Sequence, residues 1–112
     1  MKYDTIQGLE KKISKLILGN DNQTEYDSAA ELWDHWIKVG GNAFDNAHIY
    51  GGGLMEKLLG EWHTKRNNRE SLVIIAKGAH TPNCNPQGVS DQLTESLERL
   101  KIDCADIYIM HR

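Results

Sequence analysis

Four short apolar runs recur along the chain with helically spaced segments between them, and this alternation limits the fold more than any other feature. The runs are "KLIL" (Lys15–Leu18), "NAFD" (Asn42–Asp45), "SLVIIAK" (Ser71–Lys77) and "DIYIMH" (Asp106–His111). Each is continuously apolar rather than alternating, which predicts strands covered on both faces. Between them, Ala29, Trp33, Trp36 and Ile37 fall on one helical stripe. Leu54, Met55, Leu58, Leu59 and Trp62 form a second stripe, and Val89, Leu93, Leu97 and Leu100 a third. Strand–helix order repeated at roughly 30-residue intervals predicts parallel strands joined by right-handed helical crossovers.

The boundaries carry matching signals. Asn85 offers a capping side chain ahead of Pro86, which suits the first helical position, and Gly40–Gly41 suits a helix stop. The opening "YDTIQGLEKKI" predicts a small hairpin before the first main strand. The chain is read as one partial domain, residues 1–112, of α/β class. Two architectures fit the pattern: part of a (β/α)8 barrel, or a small doubly wound sheet.

Bulk composition removes several functions. The 112 residues are 39% hydrophobic and 26% charged, with a net charge of −3 and no basic stripe, so neither nucleic acid nor an anionic membrane is expected as a partner. The start "MKYDTIQGLEKK" lacks a signal peptide's apolar core, and no run is long enough to span a bilayer. Cys84 and Cys104 read as free thiols of a cytoplasmic protein. His48, His63, His80, His111 and the cysteines match no common zinc spacing, and no metal is predicted. Gly51–Gly53 lack the Rossmann spacing and read as a turn before a helix. Trp33, Trp36 and Trp62 read as packing between helices and sheet.

Every run after the first ends on an ionisable residue: Asp45, Lys77 and His111. In parallel α/β folds the C-terminal strand ends share one rim, so these three should converge there, with Tyr50 on the loop after Asp45. Such a set has a specific use. A free phenol ionises near pH ~10 and is a reluctant proton donor at neutrality, but an adjacent ammonium favours its anion. Asp45 would hold Lys77 charged and oriented, and His111 would donate a hydrogen bond to a substrate oxygen. The group suits protonation of a carbonyl oxygen while a cofactor delivers hydride to the carbon. His80, just past Lys77, is placed with Tyr50 and His111 among the substrate-binding residues.

These residues carry a resemblance. "DNAHIYGGG…EKLLG", "IIAKG" and "LTESLERLKIDCADIYIMHR" resemble corresponding blocks of the aldo-keto reductase family. That resemblance implies a (β/α)8 barrel that reduces aldehydes or ketones with NADPH, and it places the family's catalytic tetrad on Asp45, Tyr50, Lys77 and His111. "SKLILGN" is similar to the family's first barrel strand, which implies cofactor contacts at Gly19, Asn20 and Asp45, and the opening hairpin is similar to the plug at the barrel's base. Asn46 stands where the family usually has Thr or Ser, Cys104 where an aromatic residue is common, and the Tyr50–Glu56 loop is longer than in many members.

A full barrel needs about 250 residues. The expectation is therefore the N-terminal half of such an enzyme, a fragment whose partner loops for the cofactor lie in the other half. The alternative is a non-catalytic half-barrel serving as an interaction or assembly module, self-associating through exposed strand edges.

Overall fold

The computed structural model describes residues 1–111. The chain opens with a two-residue pair, β1 (Tyr3–Asp4) and β2 (Ile13–Ser14), joined antiparallel with Tyr3 opposite Ser14. A parallel sheet follows: β3 (Leu18–Gly19), β4 (Ala43–Asp45), β5 (Val73–Gly78) and β6 (Ile107–Met110). Helices α1 (Tyr26–Lys38), α2 (Leu54–Arg66) and α3 (Pro86–Leu100) connect successive strands. The sheet order is β3-β4-β5-β6, so every strand neighbours the next in sequence. A doubly wound sheet reverses its order at a switch point and carries helices on both faces. Here all three helices join one cluster with Phe44, Ile74 and Ala76, on a single face. The barrel-type winding is the one adopted.

The helix-facing side holds the main core. Trp33 of α1 and Trp62 of α2 meet edge to face at 5.6 Å, and Phe44 lies 5.6 Å from Trp62. Trp33, Trp62 and Phe44 are fully buried together with Leu59, Leu72, Ile74 and Leu100. Truncating one such aromatic to Ala costs about 3–5 kcal/mol, through lost burial and the cavity left behind. Trp36, only half-buried, packs at the margin of this core, and its indole occupies the space a Cβ on Gly41 would need.

The opposite side of the sheet is closed at one end by the hairpin. Ile13 buries itself against Ala43 and Val73, with Leu9 and Ile107 alongside. Lys11 then donates to the Leu72 carbonyl at 2.8 Å and to Asp106 Oδ1 at 2.9 Å. Asp106 also accepts from Arg69 Nη1 and from the Ile74 amide, both at 2.8 Å.

The helix ends follow local chemistry. Asn85 Oδ1 accepts from the Gly88 amide at 2.8 Å, and Pro86 takes the first turn, where no intrahelical N–H bond is required. After α1 the chain leaves through Gly40 at φ 96°, a left-handed position that suits glycine.

One strand differs from the sequence reading. Lys15–Leu18 was expected to pair along its length, yet only Leu18–Gly19 does, opposite Phe44 and Asp45. The preceding backbone is engaged elsewhere, because Lys15 N donates to the Lys2 carbonyl at 2.8 Å and Ser14 N to Asn42 Oδ1 at 2.8 Å. Leu16 and Ile17 are left 64% and 47% exposed on the sheet's edge. Expected cover on both faces holds for β5, buried from Val73 to Ala76, and fails at β6, where Ile109 and Met110 are exposed.

Candidate active site

The side of β4 and β5 that faces away from the helices changes character along its length. Near the hairpin it is apolar, with Ala43 and Val73 paired; at the far end it carries Asp45 and Lys77. Register explains their meeting. Asp45 pairs with Ile75, so Lys77 sits one same-face step further along the neighbouring strand. Lys77 Nζ reaches back to donate to Asp45 Oδ2 at 2.7 Å.

The loop after β4 stays pinned to β5, with Asn46 N donating to the Ile75 carbonyl at 2.9 Å and His48 N to the Lys77 carbonyl at 2.8 Å. A 3₁₀ turn, Tyr50–Gly53, then turns the chain back over the rim into α2. Gly51, Gly52 and Gly53 have φ of 57°, 64° and 101°, three consecutive left-handed residues that side chains would resist. The glycine run is thus a steep turn, and it brings the Tyr50 hydroxyl to 2.9 Å from Lys77 Nζ.

One ammonium therefore donates to both a carboxylate and a phenol oxygen. The Lys77 and Asp45 side chains are 15% and 30% exposed, so solvent screens the pair only in part. Burial works against the Lys77 charge, but its hydrogen bonds to Asp45 and Tyr50 outweigh that and hold its pKa above the ordinary lysine value. An ammonium has no lone pair, so the phenolic hydrogen of Tyr50 is not spent on Lys77 and remains available to an acceptor.

His111 follows β6, its amide donating to the Gly78 carbonyl at 2.7 Å. Its ring stands perpendicular to Tyr50 with centroids 6.0 Å apart, and the His80 ring lies 5.2 Å from it at 86°. Tyr50, Lys77, Asp45, His111 and His80 therefore form one cluster. Gly19 borders it through its pairing with Asp45, and the space where its side chain would stand is open. Asn20 is different: its side chain is fully buried and committed elsewhere. Trp33 Nε1 donates to Asn20 Oδ1 at 2.9 Å, and Asn20 Nδ2 donates to Asn46 Oδ1 at 3.1 Å. An indole can only donate, which fixes both amide orientations. The departure at Asn46 is thus tied into a relay linking α1 to the ends of β3 and β4.

The sequence reading did not single out the contacts behind the Tyr50 turn. Glu56, fully buried in the first turn of α2, faces Arg99 of α3, which also bonds the His48 carbonyl. The available signal was helical spacing, which sets Glu56 beside Leu59 and Gly60 on the buried flank of α2.

The aldo/keto reductase family model matches residues 15–112. The chain belongs to the aldo/keto reductase family. Similar proteins include aldo-keto reductase str7 of Strobilurus tenacellus, 36% identical over 89 residues, covering 77% of this chain and 26% of that protein. The NADP(+)-named aldo-keto reductase yakc of Schizosaccharomyces pombe is 30% identical over 87 residues, covering 70% of this chain and 26% of its own length. A crystal structure of a thermostable aldo-keto reductase bound to the inhibitor epalrestat superposes with a TM-score of 0.82 at 29% identity. That match takes in 99% of this chain and 43% of the crystallised one. This aldo/keto reductase chain thus spans about a quarter of those two curated relatives and less than half of the crystallised one, and its sheet is one portion of their barrel.

Proposed function

We propose that this chain carries the catalytic rim of a reductase that converts an aldehyde or ketone to an alcohol. The observation that carries this reading is the single Lys77 ammonium held between Asp45 and Tyr50 at 2.7 and 2.9 Å. Tyr50 is the general acid: its free O–H points its proton at the carbonyl oxygen. As that proton leaves, the phenolate is stabilised by the ammonium already bonded to it, so no reorganisation is needed at the moment of transfer. Asp45 keeps Lys77 charged and aimed. His111, with its ring against Tyr50, donates to the carbonyl oxygen and fixes its position, and His80 lines the substrate side.

NADPH would supply the hydride when bound; the hydride to the carbon and the Tyr50 proton to the oxygen account for the two hydrogens the carbonyl gains. The rim fits the reactive end of such a cofactor, because Gly19 leaves open space beside Asp45. Gly19, Asn20 and Asp45 are the residues assigned to it, with Asn20 acting through its backbone and its hold on the rim. A cytoplasmic setting suits the exposed thiols of Cys84 and Cys104, and no helix among the described residues is long and apolar enough to cross a membrane.

Replacing Tyr50 by Phe should lower kcat for NADPH-dependent carbonyl reduction by about 10²–10⁴-fold. The far-UV circular dichroism should stay unchanged. Near-full activity in Tyr50→Phe would overturn the assignment. Titration of NADPH fluorescence with the chain should saturate if the rim binds cofactor by itself.

A second reading, assembly rather than catalysis, is favoured by the apolar edges. Ile109 and Met110 on β6 are 45% and 50% exposed, and Leu16 and Ile17 border the opposite edge. Sheet edges of this kind pair with further strands, from a second copy or another chain. A monomer by light scattering at all concentrations would argue against it.

A further inference from the structure

We infer that Arg99 is a positioning residue that sets the Tyr50 hydroxyl against Lys77, acting through both ends of the turn that carries Tyr50. The inference rests on the proposed role of Tyr50 as proton donor. At the entry to the turn, Arg99 Nη1 donates to the His48 carbonyl at 2.9 Å. At its exit, the guanidinium lies where a Gly53 side chain would begin: a Cβ there would stand 2.6 Å from Arg99 Cζ and 2.7 Å from Nε. The turn is thus gripped at His48 and backed at Gly53, with Tyr50 between them.

The grip is itself held. Two carboxylates flank the guanidinium, Glu56 Oε2 at 3.5 Å from Nη1 and Glu95 Oε2 at 3.4 Å from Nη2. The same Glu95 oxygen lies 2.8 Å from His48 Nε2, so His48 is tied to α3 through both its backbone and its ring. Glu56 is fully buried at the start of α2, where burial already disfavours its charge and removal of Arg99 would take away the cation it pairs with. The guanidinium meets these acceptors from two nitrogens, Nη1 toward His48 and Glu56 and Nη2 toward Glu95, a spread that the single nitrogen of a lysine does not reproduce.

Three left-handed glycines make the turn compliant, and this is why it needs an external brace. The brace comes from α3, an element that supplies none of the four residues of the proposed tetrad. It transmits the packing of α3 against α2 to the phenol through one side chain.

The test compares Arg99→Lys and the double variant Glu56→Gln/Arg99→Met with the parent chain; the double variant removes both charges of the buried pair, so no buried carboxylate is stranded, and Glu95 stays half-exposed and bonded to His48. The readouts are the Tyr50 ring NMR signals, assigned by their loss in Tyr50→Phe, and hydrogen exchange at the Tyr50 and Gly52 amides. Both variants should displace the Tyr50 signals and speed exchange in the turn, while the indole signals of Trp33 and Trp62 stay in place. In the reducing assay, kcat should fall about 10²-fold with KM for the carbonyl little changed. Unmoved Tyr50 signals and unchanged turn exchange in both variants would overturn the inference. So would Tyr50 shifts that appear only together with shifts of Trp33 and Trp62, which would make Arg99 a general packing residue. If the parent chain oxidises no NADPH, the proposed activity fails, while the NMR and exchange arms still decide the role of Arg99.

Discussion

Lys77 sits between a carboxylate and a phenol, and both contacts depend on its staying charged. Lys77→Met should therefore reduce turnover about 10²–10⁴-fold, as loss of general acid function does. Lys77→Arg should fail to restore it, because a planar fork cannot reproduce one nitrogen aimed at two oxygens. Steady-state kinetics on both variants, with thermal melts to confirm folding, check this. Asp45, Lys77 and His111 were legible in the sequence because each closes an apolar run, and parallel strands bring such ends to one rim. Arg99 was not. Its bond to the His48 carbonyl joins residues 51 positions apart on different elements, and no spacing rule reaches that far. The Trp33–Asn20–Asn46 relay was hidden because it too joins different elements, although Asn46 had stood out as unusual.

Among the elements, helices were easier to read than strands. Each helix has a stripe and at least one end signal, and α3 has both Asn85 and Pro86 at its start. Asn85→Ala should cost about 0.5–2 kcal/mol, read as a lower urea midpoint with unchanged slope, because the Gly88 amide loses its acceptor. The strand at Lys15–Leu18 was overread. Composition marked it apolar, but pairing depends on which backbone groups are free: Asn42 Oδ1 takes the Ser14 amide and the hairpin's Lys2 carbonyl takes that of Lys15. The turn Tyr50–Gly53 teaches the converse. Its glycines announced a break in the chain, and only the backbone angles showed that the break lifts Tyr50 onto Lys77.

For the molecule as a whole, Asp106 joins what the sheet alone would leave apart. Burial pushes its pKa up, but the Ile74 amide, Lys11 and Arg69 outweigh that and hold it below the usual aspartate value. With the folded value depressed, the stability this carboxylate contributes is present above its unfolded pKa of about 4 and is lost as pH falls through the folded value. Asp106→Asn should thus destabilise the chain at neutral pH and lessen its acid sensitivity, measured as urea midpoints at pH 7 and in the acid range below the aspartate pKa. A parallel loss at both pH values would sink this account.

Lys11 and Asp106 are 95 positions apart, and that span has a temporal meaning. As the chain leaves a ribosome, β1 and β2 emerge well before Asp106, the side-chain anchor for Lys11. Ile13 can settle on Ala43 and Val73 once β5 is made, but the ion pair at Lys11 and the flank of Ile107 must wait for β6. Contacts of such long range slow folding and lengthen the exposure of apolar surface. A nascent chain stopped before Asp106 should therefore show a protease-sensitive N-terminus, and one extended past Met110 a protected one.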